Sequence, residues 1–367
     1  MQELFDACMG QTSGVELRTV SDARSAFGNH VLSYFGTTDV RLLRNKVRPR
    51  RPAPIGPDGQ PMSITAWVNW LSTRSGLDRT GAPTGTALRP KTIRNLHALL
   101  SQVLQFAVDD DEDDPLLPRN PCVGTKLPAV QQQERPFLEH AHFLALHAAI
   151  DAWFRPLLVF LVATGVRWGE AAGLRVRHMH LDPGHGPPYV EIMIAWRRGS
   201  GGTMVLGRVK SAASQRRVSL SPRSVEAIRP LLAGNGPDEA VFTMRGGGPL
   251  HHGNFTSRWL VPAVAACAEH GVDQRLRAHG FRHTHAAWLL SAGRPVTSVQ
   301  KRLGHENART TTKIYGHHPG SDEGQDRRRL RLELEVRPGA VLALRSRMLT
   351  RTSCARCDGR AAAIPSC

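Results

Sequence analysis

The chain has 367 residues, 41% of them hydrophobic, enough for two domains with cores of their own. Its 48 lysines and arginines against 31 acids give a net charge of +17, which favours a polyanion as partner. The longest apolar run, Leu157 to Ala163, is far short of a bilayer span, and the start MQELFDACMG lacks the basic-then-apolar order of a secretory leader. No membrane partner is expected, and the expected location is cytoplasmic. Six cysteines, Cys8, Cys122, Cys267, Cys354, Cys357 and Cys367, then read as reduced intracellular thiols and not as a disulfide frame.

Residues 1–48 carry mixed helical patterning, with FGNHVLSYFG ending on Gly36 and a basic VRLLRNKVRPRR after it. Proline and glycine make 49–60 a loop. SITAWVNWLSTRSG (63–76) reads as a helix, with Ile64, Val68 and Leu71 recurring at steps of four and three. The next stretch, LDRTGAPTGTALRP, reads as a polar, flexible loop. A helix follows from Pro90, and Ile93, Leu96, Leu100, Val103 and Ala107 mark its buried stripe. The acidic run Asp109 to Asp114 opposes a helix dipole at its C-terminus and is expected outside the helix. The proline-bearing LLPRNPCVGTKLPAVQQQERP reads as an inter-domain linker, with the boundary near residue 130.

The second domain opens with a helix at PFLEHAHFLALHAAID. FRPLLVFLVATG (154–165) is apolar on nearly every side, as a core helix must be, and Gly165 closes it. PPYVEIMIAW (187–196), TMVLGRV and QRRVSLS read as three strands of one small antiparallel sheet, with Lys210 at or just past the end of the second. SPRSVEAIRPLLAG (221–234) is a helix with Ser221 as its cap, and HHGNFTSRWLVPAVAACAEHG continues helically.

The stretch from His279 to Tyr315 organises the chemistry. His279 and Arg282 stand three apart, so a helix puts them on one face. His305 follows a Leu303-Gly304 pair that reads as a helix stop, and Tyr315 ends a threonine-rich segment ten residues on. Guanidinium, imidazole and phenol groups in this arrangement suit chemistry on a phosphate. From Gln325 the tail DRRRLRLELEVR reads as one more helix or an arm, and the last thirty or so residues have no convincing period. The CARC at 354–357 has too few partners for a zinc site.

Four blocks in order, ATGVRWGEAAGL, GRVKSAASQRRVSL, HGFRHTH and LGHENARTTTKIYGH, resemble the signature blocks of the tyrosine recombinases, the phage-integrase family. ALRPKTIRNLHALLSQVLQFAV and RNPC resemble that family's core-binding helical domain. The resemblance spans about residues 20 to 320. It implies a mainly α fold with a small antiparallel β-sheet (α+β), built as a helical core-binding domain at 1–130 and a catalytic domain at 131–324. The tail at 325–367 would begin with a segment that docks on a neighbouring protomer.

By the same resemblance Arg167 is the first active-site arginine and Glu170 the acid three positions later. Lys210 is the strand-borne lysine, His279 and Arg282 the His-x-x-Arg pair, His305 the later histidine, and Tyr315 the nucleophile. His283 and His285, beside the motif, read as structural, and His317 and His318 as a solvated turn. The implied activity is site-specific cutting and rejoining of double-stranded DNA through a 3′-phosphotyrosyl link, by four protomers on two duplexes, with accessory DNA-bending factors as further partners. The energy of the broken bond stays in the phosphotyrosine, so no cofactor, ATP or metal is needed. The sequence departs from many relatives in Gly280-Phe281 within the His-x-x-Arg pair and in a short start that leaves no room for an arm-site domain. Three rivals are a type IB topoisomerase, a DNA-binding remnant with an inactive site, and a metal-dependent nuclease. The core-binding half argues against the first, the presence of all seven groups against the second, and the lack of a carboxylate cluster against the third.

Overall fold

Apolar periodicity sets the first half of the chain. In the structure, a computed structural model, the described residues are 1–304 apart from 15, 37, 48–52, 78–82, 110–114, 132–134, 183, 185, 200–202 and 210–213. Lys210, His305 and Tyr315, most of the acidic run, and the tail with its cysteines fall outside them. The chain divides into two compact units: Met1–Glu134 with Trp196–Gly207, and the remainder from Arg135.

In the first unit α1 (Gln2–Gln11) and α2 (Leu17–Phe27) lead into a π-helical stretch, Gly28–Leu32, and a short α3 (Ser33–Phe35). The indole of Trp67 donates to the His30 carbonyl within that π-helical stretch at 2.8 Å. Trp67 lies on α4 (Ile64–Thr73), whose first turn is capped by Ser63 Oγ accepting from the Ala66 amide at 3.0 Å. The expected loop after α4 is instead an antiparallel hairpin, β1 (Ser75–Leu77) and β2 (Pro83–Ala87). Its strands are too short and too rich in glycine and proline to show a period of two. α5 (Pro90–Asp109) follows and buries Ile93, Leu96, Leu100, Val103, Leu104 and Ala107 against Phe5, Phe27, Phe35 and Trp67. Asn120 closes the unit, donating to the Ser101 carbonyl at 2.9 Å while its Oδ1 accepts from the Cys122 amide at 3.0 Å. Cys8, Cys122 and Cys267 are buried free thiols.

The second unit is built around α7 (Arg155–Thr164), which follows α6 (His140–Ala149) and is buried all round from Leu157 to Val162. α7 stops at Gly165, whose φ of +65° only glycine adopts at little cost. Arg167 begins the next short helix, α8 (Trp168–Gly173). The expected single sheet is two. β3 (Met179–His180), β4 (Tyr189–Ile192) and β7 (Arg216–Ser219) form an antiparallel sheet with β4 in the centre. β5 (Ile194–Arg198) and β6 (Met204–Arg208) form a separate two-stranded ribbon, most of which belongs to the first unit. The run 187–196 therefore breaks at Met193, which is exposed and accepts from the Val209 amide at 3.2 Å.

α9 (Pro222–Leu232) starts under the Ser221 cap, its hydroxyl accepting from the Ser224 amide at 3.3 Å. α10 (His252–Phe255) passes through a second π stretch, Thr256–Leu260, into α11 (Val261–Ala266). α12 (Ala278–Ser291) packs on α7, and α13 (Val296–Leu303) packs on α12 through Ala286, Val299 and Leu303. Gly304 ends α13 in the left-handed region with φ +67°. No helix among the described residues is long and apolar enough to cross a membrane.

Candidate active site

Two helix ends meet where the candidate residues gather. α7 ends at Gly165 and α13 at Gly304, and each leaves carbonyls without a partner in its own helix. Arginines supply the missing donors. Arg282, on the first turns of α12, donates from one Nη to the Gly165 carbonyl and from the other to the Leu303 carbonyl, both at 2.8 Å. Arg167 donates to the Gly304 carbonyl at 3.0 Å. The two arginines that the resemblance selected thus reach consecutive carbonyls at the end of α13. Arg282 is buried, whereas the Arg167 side chain keeps 40% of its surface and is the more open guanidinium.

Glu170 is the hub beneath them. Its side chain is 2% exposed. It accepts from the Arg167 amide and from Arg167 Nη1, each at 2.8 Å, which closes the first turn of α8. It also takes both Nη groups of Arg216, at 3.2 and 2.8 Å. Burial pushes the Glu170 carboxyl up, but the hydrogen bonds and charges of Arg216 and Arg167 outweigh it and hold the group below the usual carboxylate range. Glu170 is therefore an ionised orienting group with no open face for a proton.

His279 lies one turn before Arg282. The residue is exposed at the surface, yet protein crowds close around its ring. That crowding, followed by the charges of Arg282, Arg135 and Arg167, pushes its pKa down to about 4, so the ring is neutral at pH 7 and keeps one nitrogen as an acceptor. Its ring meets His283 edge-on at 4.8 Å, and His283 Nε2 lies 3.2 Å from Arg135. His285 is buried against Val162, with Nδ1 2.8 Å from that carbonyl and Nε2 accepting from Arg302 Nε at 3.0 Å. Burial, and then the charge of Arg302, pushes its pKa down to about 3. The backbone carbonyl requires the proton on Nδ1, so one neutral tautomer fits.

The structure brings Arg167, Glu170 and Arg282 together around the end of α13, with His279 one turn before Arg282 and within reach of the charges of both arginines. Lys210, His305 and Tyr315 lie outside the described residues. Two members of the cluster were not anticipated, Arg216 and Arg302. Arg302 donates to the Ser219 carbonyl at 2.9 Å and to the Ala163 carbonyl at 3.2 Å, tying α13 to β7 and α7. Among the described residues no group of three or more His, Cys, Asp or Glu could hold a metal ion.

The sequence model of the phage integrase family matches residues 133–321, just over half of the chain. The chain belongs to the phage integrase family. The ICEBs1 integrase of Bacillus subtilis (strain 168) is 24% identical over 252 residues, 63% of each chain. A tyrosine recombinase XerD of Chlorobaculum tepidum is 29% identical over 163 residues, 44% of this chain and 48% of that one. The chain thus spans between about half and two thirds of these relatives' length. Among solved structures, the Tn1549 transposon integrase in complex with transposon right end DNA aligns with a TM-score of 0.68 and 16% identity, over 90% of this chain and 98% of that one. A lambda integrase dimer bound to a COC′ core site aligns with a TM-score of 0.50 and 14% identity, over 87% and 78%. These two likenesses are of fold. Family membership makes the mainly helical architecture, with its small antiparallel sheets, that of an integrase.

Proposed function

We propose that the chain is a site-specific DNA recombinase that cuts and rejoins duplex DNA through a 3′-phosphotyrosyl intermediate on Tyr315. The observation that carries this reading is the convergence of Arg167 and Arg282 on the carbonyls of Leu303 and Gly304, immediately before His305 in the sequence. The carbonyls that hold Arg282 neutralise no charge, and the single Glu170 carboxylate is shared between Arg167 and Arg216, so the cluster keeps a net positive field. That field stabilises the extra negative charge of a pentavalent phosphorane more than that of the diester. In the proposed step the Tyr315 phenol oxygen attacks phosphorus and the 5′ oxygen leaves, protonated by Lys210. His279 accepts the phenol proton. Burial and then the charges of three arginines keep its basicity low, and the phosphate anion, by offsetting those charges, raises it when DNA is bound. Arg167 binds a non-bridging oxygen, His305 donates a further hydrogen bond to the phosphate, and Glu170 orients Arg167.

The partner in this reading is double-stranded DNA, held by a tetramer of this chain in the cytoplasm. The net charge of +17 supports a polyanionic partner. Because the target sequence is unknown, the test uses a library of nicked duplexes with randomised sequence around the nick, in EDTA. Covalent protein–DNA adducts are captured under denaturing conditions and the linkage site is mapped. The expected result is an adduct on Tyr315 that Tyr315→Phe cannot form, and a loss of about a hundredfold in its rate of formation for Arg167→Ala or Arg282→Ala. Adduct formation by Tyr315→Phe would assign the nucleophile elsewhere. DNA binding without any adduct would leave a DNA-gripping protein with an inactive site, and cleavage abolished by EDTA would favour a metal-dependent nuclease.

A further inference from the structure

Arg216 was read from the sequence only as part of a strand, yet its surroundings are those of a built site. It lies on β7, paired across to Ile192 on β4, and shares the inward face with Val218. Only 7% of its side chain is exposed. Its guanidinium serves three partners at once. Nε donates to the Arg302 carbonyl at 2.8 Å, Nη1 to the Ser214 carbonyl at 2.9 Å, and both Nη groups to the Glu170 carboxylate. The Glu170 carboxylate in turn holds Arg167 by backbone and side chain. A chain of contacts therefore runs from β7 to Glu170 to the open guanidinium of Arg167. Its second branch ends on Arg302, whose carbonyl is the first of three consecutive α13 carbonyls taken by Arg216, Arg282 and Arg167.

We infer that Arg216 is a positioning residue for strand cleavage, setting Arg167 through the Glu170 carboxylate and fixing the end of α13 through the Arg302 carbonyl. This rests on the recombinase reading, since it assigns Arg216 to the transition-state clamp. The physical reason is that Arg167 rests only on Glu170, which sits on the same short helix, and on the Gly304 carbonyl, and it can pivot if either support shifts. A fork-shaped cation bound bidentately from a neighbouring strand removes that freedom. Lysine cannot replace it, having one point charge and no planar fork.

Two measurements test the assignment on the full chain. The first needs no DNA: NMR of arginine-labelled protein reads the rotation of the Arg167 guanidinium. Rotation should be slow in the native chain and about tenfold faster in Arg216→Met. Equal rotation in the two would overturn the proposal. The second uses the nicked-duplex library and single-turnover adduct formation. Arg216→Met should lower the rate by roughly thirty- to a hundredfold, as for an ångström-scale misplacement of a reacting group, with duplex affinity changed less than about threefold. Placed in the Arg167→Ala background, the same substitution should cost less than about twofold, because the group it positions is gone. A merely structural role would lower the active fraction equally in both backgrounds, and that result would overturn the assignment. Should Arg216→Met fail to fold, the double variant Arg216→Met with Glu170→Gln removes both charges of the buried pair, and must show the same rotation and the same dependence on Arg167. If the native chain forms no adduct, the recombinase reading fails, while the rotation measurement still decides whether Arg216 holds Arg167.

Discussion

Arg216 and Arg217 are adjacent residues of one type on one strand, and they do different work. The pleat sends Arg216 inward, where it meets the buried Glu170 carboxylate and two backbone carbonyls. It sends Arg217 outward, where 70% of its side chain is in solvent, beside Glu191 at 2.9 Å and over the Tyr189 ring at 5.0 Å. Their ion pairs are 2.8 and 2.9 Å long, so distance does not separate them. Water does. On the outer face the solvent competes for every contact and a pair is worth little. On the inner face the removal of one partner strands a charge that has already lost its water. A salt bridge therefore says little until the exposure of both ends is known.

Substitution can break this contrast. Arg216→Ala should lower unfolding stability by about 3–5 kcal/mol, read as a shift in urea midpoint at constant slope. An effect below 1 kcal/mol would mean that Glu170 is not buried as described. Gly165→Ala tests the same inner region from the backbone side. Its new Cβ would have to adopt a positive φ and would lie 2.5 Å from His285 Cδ2 and 2.8 Å from Leu303 Cδ2. The expected loss is about 2–4 kcal/mol, from the left-handed backbone and the overlap together.

Acid sharpens the comparison further. His285 titrates near 6.5 when exposed and at about 3 in the fold, so the unfolded chain takes up its proton first. Its contribution to stability is complete above pH 6.5 and is lost as the pH falls toward 3, amounting to about 2 kcal/mol between pH 7 and pH 5. His147 and His279, both pushed to about 4, act in the same direction. In His285→Gln the fall in urea midpoint over that range should be visibly shallower than in the native chain, and an unchanged slope would place the buried imidazole elsewhere. The smallest effect is expected on the outer face, where Arg217→Ala should cost about 0–1 kcal/mol and leave adduct formation unchanged.

Much of the helical framework was legible because long amphipathic or apolar runs carry their own period. α4, α5 and α7 begin and end close to where the pattern and the glycines put them, and α13 ends at the expected glycine. The β regions were less legible. The 187–196 run is apolar on both sides of Glu191, so nothing in it marks Met193 as the point where one sheet is left and another begins. The hairpin after α4 had no period to show. In the candidate site, the spacing of His279 and Arg282 on one helix could be read directly. Their convergence with Arg167 depends on packing α12 against α7, which no local pattern encodes. Arg216 could have been found, since it shares strand parity with Val218 and Leu220 and so faces the core with them. A charged residue on the apolar parity of a strand signals a buried partner elsewhere in the chain.

The carbonyls of Arg302, Leu303 and Gly304 are each gripped by a guanidinium rooted in a different part of the second unit, on β7, on α12 and at the start of α8. The last turn of α13 is therefore moored at several points and cannot loosen one bond at a time without disturbing three cations. Its amides should exchange with solvent in step with those at the foot of α7, as one cooperative block. The segment that leaves Gly304 toward His305 and Tyr315 starts from a fixed anchorage.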